Sequence, residues 1–175
     1  VVIIAAVISV RAISIASDAR TALEKSLSVD TSTAVPTEKD GLWVTGDSVI
    51  LGIRSVLEEN QPISLVNARI GRQAPELLEV LIQDQPQALE SPIIFNLGNN
   101  NALSREQVEQ IFEVVKAQPQ IIVVNTAVPR PWRDGNNQII SEVAAKYPQA
   151  DVVDWNAISE GHPEYFAPDG VHLVP

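Results

Sequence analysis

One serine, one aspartate and one histidine in this chain have the types and spacing that nucleophilic catalysis needs. Ser48 ends a Gly-Asp-Ser segment, and Asp169 and His172 form an Asp-Gly-Val-His segment near the end of the sequence. A serine hydroxyl is a poor nucleophile until an imidazole takes its proton, and that imidazole needs an acceptor on its other nitrogen. Asp169 and His172, three residues apart, could supply both groups from one turn. The sequence therefore predicts a Ser48–His172–Asp169 triad.

Composition limits the other kinds of site and partner. The chain has 175 residues, a formal net charge of -10 and no cysteine. Because polyanion binding depends on clustered Lys and Arg, nucleic acid is not an expected partner. The absence of cysteine excludes disulfides, thiol catalysis and thiolate metal sites. The two histidines are not at ligand spacing, so neither a metal site nor a cofactor is predicted.

The chain divides into three segments by composition. Residues 1–16 are almost wholly apolar, with Arg11 as their only charge. We interpret residues 1–23 as an apolar helix that forms the end of a transmembrane segment, although an ordinary amphipathic helix fits the same residues. Residues 24–40 are rich in Ser, Thr, Pro and charge, which is typical of a linker. The globular domain is expected to cover residues 41–175.

Apolar runs and helix-like segments alternate regularly from residue 41 onward. Such alternation implies a parallel sheet with helices on both faces, a three-layer α/β/α fold like that of flavodoxin. Ser104 and Gln107 have the spacing of a capping box at the start of one helix. The predicted strands are 42–45, 63–68, 93–97, 121–126 and 151–155, and the predicted helices are 49–58, 75–84, 105–117 and 136–147.

The candidate residues all follow strands of this predicted sheet. In parallel sheets, reactive groups gather beyond the carboxyl ends of the strands. Ser48 follows the first strand and opens a helix, where the free amides and the helix dipole favour negative charge. Gly71 follows the second strand, where an exposed backbone amide could approach a substrate. The asparagines at 99–101 follow the third strand, and their amide side chains could donate to an oxyanion.

These segments resemble the four blocks of the SGNH, or GDSL-like, hydrolase superfamily. The blocks are Gly-Asp-Ser at 46–48, Gly71, Gly-Asn-Asn at 98–100 and Asp-Gly-Val-His at 169–172. More narrowly, Gly-Arg-Gln at 71–73, Val-Pro-Arg at 128–130, Asp-Trp at 154–155 and the run 161–173 resemble the extracytoplasmic domain of bacterial peptidoglycan O-acetyltransferases. The resemblance covers about residues 42–173. It implies that the Ser48 amide, the Gly71 amide and the Asn100 side chain form the oxyanion hole.

The resemblance implies a domain tethered to the outer face of the bacterial cell membrane. In that family, a membrane acyltransferase domain delivers acetyl groups, and the SGNH domain transfers them through an acetyl-serine to a hydroxyl of the peptidoglycan glycan strands. Asn101 departs from the general hydrolase pattern, in which Asp often follows the oxyanion asparagine. The alternatives are a carbohydrate acetylesterase that uses the same triad on water, and a glycan-binding module without catalysis.

The neighbouring polar and aromatic residues have simpler expected roles. Asp47 is expected to fix the turn by binding local amides, and His162 to brace the catalytic loop. Trp132 could stack on a sugar or cover the core. For the arginines, pairing with surface acids is favoured over binding a glycan carboxylate; these are Arg72, Arg130 and Arg133.

Overall fold

Five strands form one parallel sheet in a computed structural model that describes residues 41–88 and 90–174. The strand order is β2-β1-β3-β4-β5. The strands are β1 (Leu42–Gly46), β2 (Ile63–Ala68), β3 (Ile93–Asn96), β4 (Ile121–Val124) and β5 (Ala150–Val153). The helices are α1 (Ser48–Asn60), α2 (Ala74–Asp84), α3 (Arg105–Val115), α4 (Arg133–Ala144) and α5 (Trp155–Ser159), with 3-10 turns at Gln85–Gln87 and Pro163–Tyr165.

Helices cover both faces of the sheet, because alternate strand residues point to opposite sides. On one face Trp43 and Phe95 pack with apolar residues of α2, α3 and α4. On the other face Val44 and Ile94 pack with α1 and with Trp155 of α5. The three inner strands are buried along their whole length, as expected for a parallel sheet between two helical layers. The predicted three-layer α/β/α fold is confirmed.

The strand order changes direction between β1 and β3. From β1 the chain moves outward to β2, then returns to the other side of β1 and continues through β4 to β5. The loops after β1 and β3 therefore diverge onto opposite faces of the sheet and leave a crevice between them. This position is the usual binding site of open α/β sheets.

Local hydrogen bonds account for where the elements begin. The predicted capping box is present: Gln107 N donates to Ser104 Oγ at 3.2 Å, and Ser104 N donates to Gln107 Oε1 at 3.0 Å. The predicted fifth strand was too long, because Trp155 begins a helix. Asp154 caps that helix by accepting a hydrogen bond from Ala157 N at 3.0 Å.

The predicted segments 1–23 and 24–40 lie outside the described residues, as do residues 89 and 175. Within 41–88 and 90–174, every helix is too short or too polar to cross a bilayer.

Candidate active site

The turn after β1 presents Ser48 at the first position of α1. Gly46, with φ of 150°, lies against the Asn96 side chain, and a Cβ at this position would collide with it. Asp47 caps α1, because its Oδ1 accepts a hydrogen bond from Val49 N at 2.9 Å. Ser48 exposes 9% of its surface, and its hydroxyl donates to no other described residue. The nucleophile candidate is thus held by its backbone and leaves its hydroxyl available.

Asp47 lies at the centre of a buried amide network. Its side chain is 2% exposed, and its Oδ1 accepts from Asn96 Nδ2 at 2.7 Å. Its Oδ2 accepts from Asn99 Nδ2 at 3.0 Å and from Asn100 Nδ2 at 2.9 Å. Asn96 in turn accepts from the Asp47 amide at 3.0 Å. The expected local role of Asp47 is present, and the same carboxylate also fixes the loop after β3.

Asn100, the predicted oxyanion donor, uses both of its amide hydrogens in this structure. One bond is the 2.9 Å contact with Asp47, and the other goes to the Arg72 carbonyl at 3.2 Å. A bond to an ionised oxygen is about twice as strong as one between neutral groups. If negative charge develops on a substrate oxygen, Asn100 is therefore expected to keep its bond to the Asp47 carboxylate. It would exchange its weaker bond to the neutral Arg72 carbonyl for a bond to the oxyanion.

The loop after β2 places Gly71 beside these groups. Gly71 has φ of 73° and lies at the surface, and its amide donates to no other described group. Arg72 is 7% exposed and donates to Gly46 O at 3.1 Å and to Asn67 Oδ1 at 2.7 Å. Burial lowers the pKa of the Arg72 guanidinium, with a further contribution from the charge of Arg69. The expected pairing of Arg72 with a surface acid is wrong; this arginine joins the ends of β1 and β2.

Asn136 is a site-supporting residue that the sequence did not indicate. It is 2% exposed, its Oδ1 accepts from Leu103 N at 2.8 Å, and its Nδ2 donates to the carbonyls of Gly98 and Asn101 at 2.9 Å. Trp132 also donates to the Gly98 carbonyl, at 3.1 Å. Both side chains come from the start of α4 and hold the loop that contains Asn100. An asparagine inside a polar helix segment gave no sequence signal for this role.

Asp169 and His172 form a direct pair on the last loop. His172 Nδ1 lies 2.6 Å from Asp169 Oδ2. The other oxygen, Oδ1, accepts from the backbone amides of Val171 at 2.9 Å and His172 at 3.0 Å. The hydrogen bond with His172, followed by these two amides, lowers the pKa of Asp169 to about 2. The carboxylate is thus ionised and orients the ring with its other nitrogen, Nε2, directed away from Asp169.

The loop that carries Asp169 and His172, called the catalytic loop below, is anchored to the rest of the domain through aromatic side chains. His162 stacks on Tyr165 with ring centroids 4.6 Å apart, and Tyr165 stacks on buried Trp155 at 6.0 Å. Phe166 forms an antiparallel bridge with Leu173. A Cβ placed on Gly52 would lie 3.8 Å from Leu173 Cβ. Since Gly52 is about one turn after Ser48 on α1, the loop lies over the start of that helix.

The predicted residues thus form two groups at one edge of the sheet. Ser48, Gly71 and Asn100 come from the loops after β1, β2 and β3, which Asp47 and Arg72 link together. Asp169 and His172 are paired on the last loop. No hydrogen bond joins the Ser48 hydroxyl to the His172 ring among the described residues.

Comparison with known proteins identifies the class. No protein-family model matches the chain. It is 36% identical to YrhL of Bacillus subtilis over 134 residues. This match covers 74% of this chain and 20% of that protein. It is also 36% identical to the peptidoglycan O-acetyltransferase OatA of Listeria monocytogenes over 130 residues. This match covers 74% of this chain and 21% of that protein. The chain spans about a fifth of the length of the curated relatives that it matches.

Solved structures give the same result. The C-terminal catalytic domain of OatA from Streptococcus pneumoniae, solved with a methylsulfonyl adduct, superposes with a TM-score of 0.61 and 25% identity. That match covers 77% of this chain and 80% of the other. A lipase/acylhydrolase from Enterococcus faecalis, at 18% identity, shares the fold with a TM-score of 0.59 over 76% of this chain and 87% of its own. The chain has the fold of SGNH, or GDSL-like, hydrolases. In sequence it is similar to the catalytic domain of peptidoglycan O-acetyltransferases.

Proposed function

We propose that this domain is a serine-dependent O-acetyltransferase that places acetyl groups on a hydroxyl of peptidoglycan amino sugars. The observation that carries the proposal is the 2.6 Å bond between His172 Nδ1 and Asp169 Oδ2, on a loop that lies over the helix opened by Ser48. The similarity to the OatA catalytic domain supplies the reaction class.

In the first half-reaction, Ser48 Oγ attacks the acetyl carbonyl carbon of the donor while His172 Nε2 takes the hydroxyl proton. Asp169 stabilises the imidazolium that results. The tetrahedral intermediate then loses the donor's leaving group, which receives that proton from His172. An acetyl-Ser48 ester remains.

Three donors are proposed for the oxyanion of this intermediate. The Ser48 and Gly71 amides have no other described partner, and Asn100 would exchange its 3.2 Å contact with the Arg72 carbonyl for the oxyanion. Loss of one such donor typically costs about 100- to 1000-fold in rate. In the second half-reaction, a sugar hydroxyl gives its proton to His172 and its oxygen attacks the acetyl carbon. Ser48 leaves and recovers the proton.

The cellular setting is also part of the proposal. We infer that the domain works at the outer face of the bacterial cell membrane, and that a membrane acyltransferase domain delivers the acetyl group. The names of the relatives support peptidoglycan as the acceptor, and the relatives are about five times as long as the part that this chain matches, which leaves room in them for a further domain. The glycan strands of peptidoglycan are the proposed acceptor.

The test supplies the purified chain with an activated acetyl ester and glycan oligomers. Acetylated sugar is expected, and its yield should rise with acceptor concentration. Free acetate alone, independent of acceptor, would show an acetylesterase instead. The Ser48→Ala variant should lose both product and labelling by a fluorophosphonate probe. Ser55→Ala, an exposed serine on the same helix, is the matched control and should retain both. Failure of the probe to label Ser48 would indicate a module without catalysis.

A further inference from the structure

Arg130 differs from every other cationic side chain in the described part of the molecule. Six of the others pair with a carboxylate, and Arg72 is buried on backbone and amide oxygens. The six pairs are Arg54–Glu58, Arg69–Glu76, Arg105–Glu142, Lys116–Glu113, Arg133–Asp134 and Lys146–Glu109. Arg130 is exposed and has no side-chain partner among residues 41–88 and 90–174. Within the part of the chain that the structure describes, the expected pairing of Arg130 with a surface acid is absent.

The position of Arg130 connects it with the candidate active site. It lies in the loop between β4 and α4, at the carboxyl edge of the sheet. The preceding residue, Pro129, packs against the catalytic loop, since a Cβ on Gly170 would lie 3.3 Å from Pro129 Cγ. Gly170 follows Asp169 directly and precedes His172 by two residues. The backbone that carries this uncommitted guanidinium thus lies beside the loop that holds the proposed base.

A cleft next to this loop could hold part of an acceptor. It has a volume of about 240 Å³, and its lining includes Pro129, Phe166 and Gly170. Polar and charged groups complete the lining: Asn156, Ser159, Glu160 and Arg133, the last of which is already paired with Asp134. Amide, hydroxyl and aromatic groups together are suited to a polar molecule with apolar faces, such as a sugar. Arg130 is not one of the lining residues, but it follows Pro129 directly in sequence and is exposed beside the cleft.

The charge of the protein and the unpaired Arg130 guanidinium together indicate which charged group an acceptor could carry. The chain has a formal net charge of -10, so an anionic polymer is repelled by most of this surface. A guanidinium without an intramolecular partner offers a planar pair of donors that matches a carboxylate. Any acid of the protein that paired with Arg130 would compete for this interaction, and none does within the described residues.

We propose that Arg130 binds a carboxylate of the acceptor and so selects acceptors that carry one near the hydroxyl to be acetylated. This inference rests on the proposed function. In peptidoglycan, the carboxylate could be the lactyl group that distinguishes muramic acid from glucosamine, or it could belong to a peptide attached to that group. Arg130 is thus a specificity-determining residue, distinct from the groups that carry the chemistry.

The experiment compares acetyl transfer to three acceptors by the full 175-residue chain. The acceptors are a neutral N-acetylglucosamine oligomer, a glycan oligomer with free lactyl carboxylates, and a glycan oligomer whose lactyl groups carry peptides with free carboxylates. Wild type should prefer at least one of the charged acceptors. Arg130→Gln should lower the ratio of kcat/KM for charged over neutral acceptor by about tenfold, mainly through KM, and added salt should weaken the preference.

Two further variants separate charge from geometry. Arg54→Gln removes the same charge from an exposed position on α1, and it should leave the preference unchanged. Arg130→Lys keeps the charge but loses the planar fork, so an intermediate ratio is expected. Thermal unfolding of each variant should match wild type, because these side chains are exposed.

The outcomes are distinct. A preference for the free lactyl acceptor alone identifies the lactyl carboxylate, and a preference that needs the peptide identifies the peptide carboxylate. Equal loss with all three acceptors, or no loss in Arg130→Gln, would overturn the assignment while leaving acetyl transfer intact. If wild type transfers acetyl to none of the three, the proposed function fails, and the role of Arg130 fails with it.

Discussion

Replacing Asp47 by Asn tests whether the buried carboxylate organises the site. The change preserves size and keeps one acceptor oxygen, so Val49 N and Asn96 Nδ2 can retain their partner. The second oxygen becomes an NH₂ group that faces the amide donors of Asn99 and Asn100. Two hydrogen bonds to a charged acceptor are lost, and donors then oppose donors in a buried setting.

The expected loss follows from these contacts. A hydrogen bond to a charged group contributes about 1.5–3 kcal/mol. Asn99 keeps a 3.2 Å contact with Asp47 Oδ1, and Asn100 keeps its bond to the Arg72 carbonyl, so the loss is partial. We expect the free energy of unfolding to fall by about 2–4 kcal/mol, a large share of the roughly 5–15 kcal/mol typical of a domain.

The assay is urea unfolding followed by the fluorescence of the three tryptophans. With a slope of about 2 kcal/mol/M, in the middle of the usual range, the midpoint should move by roughly 1–2 M. Asp134→Asn is the matched control, because its ion pair with Arg133 is exposed and its unfolding midpoint should stay close to that of wild type. The rate of acetyl transfer should also fall, by up to about 100-fold, since Asn100 loses its anchor. Unfolding within about 0.5 kcal/mol of wild type would refute the reasoning.

The remaining predictions concern backbone and charge. Gly46→Ala should destabilise the fold by about 3 kcal/mol or more in urea unfolding, because its Cβ would overlap the Asn96 side chain; an effect below about 1 kcal/mol would contradict this. Gly135→Ala, in α4 with no atom close to the added Cβ, should stabilise the fold by about 0.5–1 kcal/mol in the same assay. The lowered pKa of Asp169 means that its stabilising effect is present above the ordinary value of 3.8 and is lost as pH falls toward about 2. A carboxyl-carbon NMR titration should show this low pKa, and His172→Ala should raise it; an unchanged pKa in that variant would exclude the ring as its cause.

Local patterns were sufficient to predict most of the fold. The apolar run 63–68 predicted β2 at the bounds that the structure has, and Ser104 with Gln107 formed the expected capping box. These features depend on residues near one another in sequence. The apolar runs also implied the sheet, because only a layer buried on both faces needs such strands.

Long-range contacts explain what the sequence did not predict. Asp47 meets Asn96 and Asn99 from 49 and 52 residues away, so its second role depends on strand order. Arg72 and Asn136 are buried polar residues whose types usually lie at the surface, and nothing in their local sequence marks them. Their partners are loop groups and backbone carbonyls that come together only when β1, β2 and β3 lie side by side.

The two groups of candidate residues are held by different kinds of force. The group around Ser48 is fixed by buried hydrogen bonds, which are geometrically exacting and costly to break in a dry setting. Asp169 and His172 are exposed, and their loop is held by partly buried aromatic and apolar side chains and by backbone bonds such as that from Ala167 N to His172 O at 2.8 Å. Because these contacts are less buried than those around Ser48, we expect this loop to open more readily than the sheet. The proposed nucleophile and oxyanion groups are thus preorganised at the crevice between β1 and β3, whereas the proposed base lies on an exposed loop that is held less firmly.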